Sequence, residues 1–294
     1  MTRRLLLVHA HPDDETITTG GTIARYLAEG AEVTVVTCTL GEAGEVMDPP
    51  FELLTADHAD QLGGYRISEL TRALAALSPP AGPALAPRFL GGAGRWRDSG
   101  MAGTAAADHP RAFVGAQSRE PIDAGPVAAL TEIIRALRPQ VVVTYDDVGG
   151  YGHPDHIAAH TVTTAAVEAA EGTPWQVAKL YWAVSGRGQI DRAVAEMSED
   201  VLPAGWRVPA ARALPAHEDS AITTVVDVSA VADRKVAALR AHATQLAVSP
   251  DGRFFALTNV IAQPVLSEEA FILVRGTAAP DADGLEHDLF AGVG

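Results

Sequence analysis

The chain has 294 residues, 47% hydrophobic and 20% charged, which is ordinary globular usage and excludes a disordered or fibrous polypeptide. Its 37 acidic residues against 22 basic ones give a formal charge of −15, so a polyanion would meet net repulsion and nucleic acid is not expected as a partner. The single cysteine, Cys38, excludes an internal disulfide framework. No stretch approaches the about 20 apolar residues of a membrane span, so a cytoplasmic location without a membrane partner is expected.

Residues 5–8 are a short apolar run that reads as a buried strand, residues 22–28 have helical spacing ending at Gly30, and residues 32–38 are a β-branched strand. His9 and the acidic Asp13-Asp14-Glu15 interrupt any signal-peptide core after the first run. This β-α-β opening predicts a right-handed crossover and a parallel sheet covered on both faces. The alternation continues with a helix over 56–77, a strand over 88–90, a helix over 127–137 and a strand over 141–144. Farther on, residues 222–228, 231–241 and 270–274 read as strand, helix and strand. Residues 79–87 and 91–126 are rich in Gly, Ala and Pro with little periodicity, which predicts loops and a candidate lid.

The expected fold class is therefore α/β: a doubly wound, mainly parallel, Rossmann-like sheet over residues 1–175, with residues 176–294 as a C-terminal extension completing the same domain and helping to shape its site. In such sheets ligands bind beyond the carboxyl ends of the strands, which places chemistry after Val8, Cys38, Leu90 and Thr144. Gly91-Gly-Ala-Gly94 does not fit the G-x-G-x-x-G pattern, so a dinucleotide cofactor loses its main support.

Directly after the first strand stands His9-Ala-His11-Pro-Asp13-Asp14-Glu15. Pro12 suits the first position of a helical turn, which makes His11 the expected N-cap and brings His11 and Asp14 to one side. Taken alone, the acidic run also reads as a simple complement to a helix dipole. A second cluster, Tyr151-Gly-His153-Pro-Asp155-His156, follows the strand over 141–144, and parallel strands carry both loops to one edge of the sheet. His11, Asp14 and His156 then supply two nitrogens and one oxygen to a metal, leaving a position open for water, as hydrolysis on zinc requires. Asp13 is the candidate general base, and Tyr151 and His153 are candidates to stabilise an oxyanion or protonate a leaving amine. Asp155 is a candidate to orient His153. Two histidines and a carboxylate also suit ferrous iron, so the ligand set alone does not name the metal.

His11-Pro-Asp-Asp14 with His153-Pro-Asp-His156 resembles the PIG-L/LmbE family of zinc-dependent N-deacetylases acting on N-acetylglucosamine conjugates. The longer segments Val36-Thr-Cys-Thr-Leu-Gly-Glu42, residues 55–66, residues 90–101, Gly149-Gly-Tyr-Gly-His-Pro-Asp-His156 and Ala241-His-Ala-Thr-Gln245 are similar to members that deacetylate N-acetylglucosaminyl-inositol, a small amino-sugar inositol. The resemblance implies one zinc per chain on His11, Asp14 and His156, with iron as an alternative in the cell. It further implies Asp13 as base, Tyr151 polarising the carbonyl, His153 as acid or oxyanion partner, and Glu45, Arg66 and Asp98 gripping sugar and inositol hydroxyls. Asp147-Val148 departs from the Pro-Asn more usual before the paired glycines. A sister amidase of mycothiol S-conjugates and a silent sugar-binding protein are the alternatives; the oligomeric state is open.

Overall fold

The computed structural model describes residues 2–121, 123–172 and 175–294. Strand β1 (Arg4–His9), helix α1 (Asp14–Ala28) and strand β2 (Glu32–Thr37) make the opening crossover, followed by α2 (Leu62–Leu77), β3 (Arg88–Phe89), the single turn α3 (Ala116–Arg119), α4 (Pro126–Leu137) and β4 (Val141–Thr144). A tight turn, α5 (Gly149–Gly152), leads into α6 (Pro154–Ala169), then β5 (Lys179–Val184) and α7 (Arg187–Ala195). The chain closes with β6 (Thr224–Asp227), α8 (Ala232–Ala241), β7 (Leu246–Val248), β8 (Phe254–Leu257), β9 (Ala262–Pro264) and β10 (Glu268–Arg275).

Seven strands form one sheet in the order β3-β2-β1-β4-β5-β10-β6, parallel from β3 to β5, with β10 antiparallel to both of its neighbours. Continuous apolar runs such as residues 5–8 fit this sheet because each strand buries both faces. Alternate side chains separate accordingly: Leu5, Leu7, Val141 and Val143 pack with Ile23, Tyr26, Leu70 and Leu74 on one face. Leu6, Val8 and Val142 pack with Leu130, Ile134 and Val162 on the other. The doubly wound, mainly parallel α/β arrangement expected from the sequence is the one observed.

The differences have physical causes. Helix α2 begins at Leu62 and not at 56, because residues 56–60 are exposed and turn-forming, with Asp60 at φ 51. Helix α1 begins eight residues before the periodic stretch over 22–28, since its first turn is polar, with Asp14 and Glu15, and shows no apolar periodicity. Strand β5 was not anticipated: it opens on a buried lysine, Lys179, ion-paired to Glu286, which interrupts the apolar signature. The small antiparallel sheet β7-β8-β9 has strands of three and four residues, too short to display a period of two. Within the stretch over 91–126, Trp96 and Phe113 are each 1% exposed in the second core cluster and anchor their part of the loop to the sheet.

Candidate active site

β1 and β4 are hydrogen-bonded neighbours, so the segments leaving their carboxyl ends meet. The first motif folds back on itself. The His11 backbone N–H donates to Asp14 Oδ2 at 2.9 Å and the Asp13 N–H donates to Glu15 Oε2 at 3.0 Å, so side chains of the first helical turn hold the preceding loop. Asp13, with φ 127, is thereby the N-cap of α1, which corrects the expectation that His11 would cap a turn starting at Pro12. The second His-Pro pair does behave that way: His153 caps α6, its Nδ1 accepting from the Asp155 N–H at 3.1 Å with Pro154 in the first helical position.

Three imidazoles converge. The ring nitrogens of His11, His153 and His156 lie within 4.8 Å of one another, and a second such group joins His11 to Asp98 and Asp155, all of them buried. Asp14 Oδ2 sits between two of these rings, 3.3 Å from His11 Nδ1 and 3.4 Å from His156 Nε2. His156 donates from Nδ1 to the Gly149 carbonyl at 3.2 Å, which leaves Nε2 as the unprotonated nitrogen. That buried Nε2 has no hydrogen-bond partner among the described residues. His11 turns Nε2 to Asp155 Oδ2 at 3.3 Å, a carboxylate behind an imidazole whose other nitrogen faces the site. Asp13, Asp14, Asp98 and Asp155 are all buried here, and among the described residues Asp13 alone of the four is ion-paired to a guanidinium, that of Arg66. An orphaned imidazole nitrogen in a surplus of buried carboxylate is the donor set of a divalent cation, and His11, Asp14 and His156 fit that role.

The charges respond to this crowding. Burial raises the Asp13 carboxyl, and neighbouring Asp14 adds to the rise against the pull of Arg66, leaving it at about 6. Burial would also raise Asp14, but the two imidazoles that flank it, His156 and His11, outweigh that and hold the carboxyl well below its ordinary value. His153 is pushed down to about 4, first by burial and then by the neighbouring His11 and His156 imidazoles, so it is a neutral imidazole near pH 7.

The remaining predicted residues fall in different surroundings. Tyr151 is exposed, its ring 5.0 Å from that of His156 and 6.1 Å from that of His153. The Asp155 carboxylate faces His11 and the Ser99 N–H, and reaches His153 only through its backbone. Arg66 is buried, donating to the Gly41 and Pro12 carbonyls and pairing with Asp13 Oδ1 at 3.1 Å. Asp98 is buried too, accepting from the Ala43 and Gly100 N–H groups, with Oδ1 3.6 Å from His11 Nε2. Glu45 is exposed, and its carboxylate accepts from Thr258 at 2.7 Å. Tyr145, missed in the sequence, stacks on His156 at 4.3 Å and donates to Asp14 Oδ2 at 2.7 Å; its only signal was its place directly after β4. His217, also missed, bonds Asp146 Oδ2 at 2.7 Å, while Asp146 Oδ1 accepts from Gly150 and so braces the turn bearing Tyr151.

Comparison with known proteins gives the family. The PIG-L family model, described as GlcNAc-PI de-N-acetylase, matches residues 6–167, more than half of the chain and spanning both motifs. The chain belongs to the PIG-L family. Within this family it is 76% identical to a 1D-myo-inositol 2-acetamido-2-deoxy-alpha-D-glucopyranoside deacetylase of Tsukamurella paurometabola, over 100% of both chains. It is 58% identical to the protein of the same name from Rhodococcus jostii, over 99% of both. Among solved structures, the A40926 pseudoaglycone deacetylase Dbv21 is similar with a TM-score of 0.54 at 20% identity, over 95% of this chain and 100% of that one. The 4-carboxy-2-hydroxymuconate hydratase GalB of Pseudomonas putida is similar with a TM-score of 0.57 at 17% identity, over 95% and 99%. At such identities these two likenesses speak for the PIG-L fold alone, which the hydratase underlines: the scaffold carries more than one chemistry.

Proposed function

We propose that this chain is a metal-dependent deacetylase that hydrolyses the N-acetyl group of N-acetylglucosaminyl-inositol, giving glucosaminyl-inositol and acetate, a step of mycothiol biosynthesis. The substrate follows from the full-length relatives at 76% and 58% identity. The chemistry rests on one observation above all: the buried, unpartnered His156 Nε2 facing Asp14 Oδ2, with Asp13 beside it in sequence. Hydrolysis of an unactivated amide needs a polarised carbonyl, an activated water and a proton for the departing amine, and each has a residue here.

The metal is zinc in this reading, held by His11, Asp14 and His156. When bound, zinc supplies Lewis acidity that brings the pKa of water to about 7. Ionised Asp13 accepts the proton of the attacking water and returns it to the amine nitrogen as the C–N bond breaks. Because His153 Nδ1 accepts the Asp155 N–H, its proton is on Nε2, and the neutral ring donates from there to the developing oxyanion. The exposed Tyr151 hydroxyl is the second donor to that oxygen. Asp155 and Asp98 orient His11.

Of the three residues implied in gripping the substrate, Glu45 alone presents an exposed carboxylate to sugar or inositol hydroxyls. Its bond to Thr258, just beyond β8, gives the C-terminal part of the same domain a share in the rim of the site. The test is acetate release from N-acetylglucosaminyl-inositol by metal-stripped protein before and after zinc or ferrous iron is added, with a mycothiol S-conjugate in parallel. Zinc-restored release supports the proposal. Cleavage of the conjugate alone moves the chain to the sister amidase, and binding of the sugar without turnover makes it a silent sugar-binding protein.

A further inference from the structure

The segment Ala241-His-Ala-Thr-Gln245, at the end of α8, lies far from both motifs in sequence and has no part in the chemistry above. Its polar groups nonetheless reach three elements that build the site. His242 Nε2 bonds Glu15 Oε1 at 3.1 Å, and both side chains are fully buried. The other oxygen of that carboxylate accepts the Asp13 N–H at 3.0 Å, while Thr16 Oγ1 donates to the first at 2.5 Å. Thr244 donates its N–H and its hydroxyl to the two oxygens of Glu69, at 2.9 and 2.7 Å. Glu69 lies three residues after Arg66 on α2, and Arg66 clamps the Pro12 carbonyl and the Asp13 carboxylate. Gln245 donates to the Glu45 carbonyl at 3.1 Å, and the Met47 N–H donates to the Thr244 carbonyl at 2.8 Å, so the loop carrying Glu45 hangs on the same segment.

Asp13 needs such support. Its φ of 127 is a conformation that a residue with a side chain adopts only when its surroundings over-determine it. Here the Pro12–Asp13 peptide is held at both of its polar groups, its N–H by Glu15 and its carbonyl by Arg66. The second oxygen of the fully buried Glu15 is engaged from its own helix by Thr16 and from a different element by His242.

We infer that His242 is a positioning residue for the general base, acting through Glu15 to hold Asp13 in the backbone conformation that aims its carboxylate at the reacting water. The helix α8 is thus tied to the chemistry of α1, and Thr244, through Glu69, ties the same segment to α2, the helix that carries Arg66. The inference rests on the reading of Asp13 as base.

A double-mutant cycle on zinc-reconstituted protein tests it, with N-acetylglucosaminyl-inositol turnover, bound zinc per chain and Tm all measured. His242→Leu is expected to lower kcat by about tenfold or more with KM and zinc content unchanged, as for a small misplacement of a reacting group. In an Asp13→Asn background the same substitution is expected to change the residual turnover by less than about twofold, because the residue it acts through has gone. His242→Gln, whose amide can still donate to Glu15, restores most of the turnover. Lys235→Met removes another buried ion pair of α8, with Glu269, and is expected to lower Tm while leaving kcat intact. Should His242→Leu fail to fold, His242→Asn, a donor too short to reach Glu15, carries the same cycle. An equal fold-loss in both backgrounds, or loss of zinc along with activity, overturns the inference. Full turnover by Asp13→Asn alone overturns instead the assignment of the base.

Discussion

Tyr145 donates its phenolic hydrogen to Asp14 Oδ2 at 2.7 Å and accepts the Ala10 N–H at 2.8 Å, so one hydroxyl ties the end of β1 to the oxygen facing His11 and His156. A carboxylate positioned from behind in this way is a better metal ligand than a free one. Tyr145→Phe is therefore expected to weaken zinc binding by about 10–100-fold without displacing a ligand. Competition against a chelator of known affinity measures this, and unchanged affinity would show that Asp14 needs no such support.

Asp13→Asn keeps the size of the side chain and its neighbours but cannot take a proton. Turnover is expected to fall by about 10²–10⁴-fold, the usual worth of a positioned base. Zinc content by elemental analysis should stay at the wild-type level. A variant that loses its zinc would place Asp13 among the ligands.

The same residue sets the acid side of the pH profile. Burial, with Asp14 adding to it, holds the Asp13 carboxyl at about 6 in the metal-free protein. A bound cation favours the ionised form and can only move that value down. Because the protonated acid cannot accept a proton, kcat/KM is expected to fall as pH drops through about 6 or lower. An acid limb centred above neutrality would assign it to another group.

Arg66 and Glu45 should separate kinetically. Arg66 is sealed against Pro12 and Asp13, so Arg66→Ala is expected to reduce kcat, whereas Glu45 is exposed and its carboxylate bonds Thr258, so Glu45→Ala is expected to raise KM at nearly constant kcat. Steady-state kinetics on N-acetylglucosaminyl-inositol decide it. A pure KM effect at Arg66 would return it to the substrate-gripping role that the family resemblance implies.

Gly21 tests the packing of α1. Alanine is favoured over glycine inside a helix by about 1 kcal/mol. A Cβ at Gly21, however, would lie 2.5 Å from the Val228 Cβ, a contact that must be relieved by moving backbone. Overpacking of this kind costs about 1–3 kcal/mol, so the steric loss prevails and Gly21→Ala lowers stability. Urea denaturation at constant m-value measures it, and a stabilised variant would mean that Val228 gives way freely.

Local sequence was enough for the parts of this protein whose signal is local. Residues 5–8 and 141–144 announce buried parallel strands because a strand covered on both faces is apolar throughout. The His-Pro-Asp-Asp and His-Pro-Asp-His motifs could be placed at the sheet edge because each lies in the segment that leaves such a strand. What converges on them came only with the tertiary structure. Tyr145 acquires its role because β1 pairs with β4, His217 because its segment folds over the Asp146 turn, and His242 because α8 docks on α1. Arg66, to outward reading a surface charge, is buried against Asp13 for the same reason. Periodicity and spacing report which face of an element is covered. Which distant side chain meets a given atom depends on strand order and helix docking, and those are settled by the packing of the whole chain.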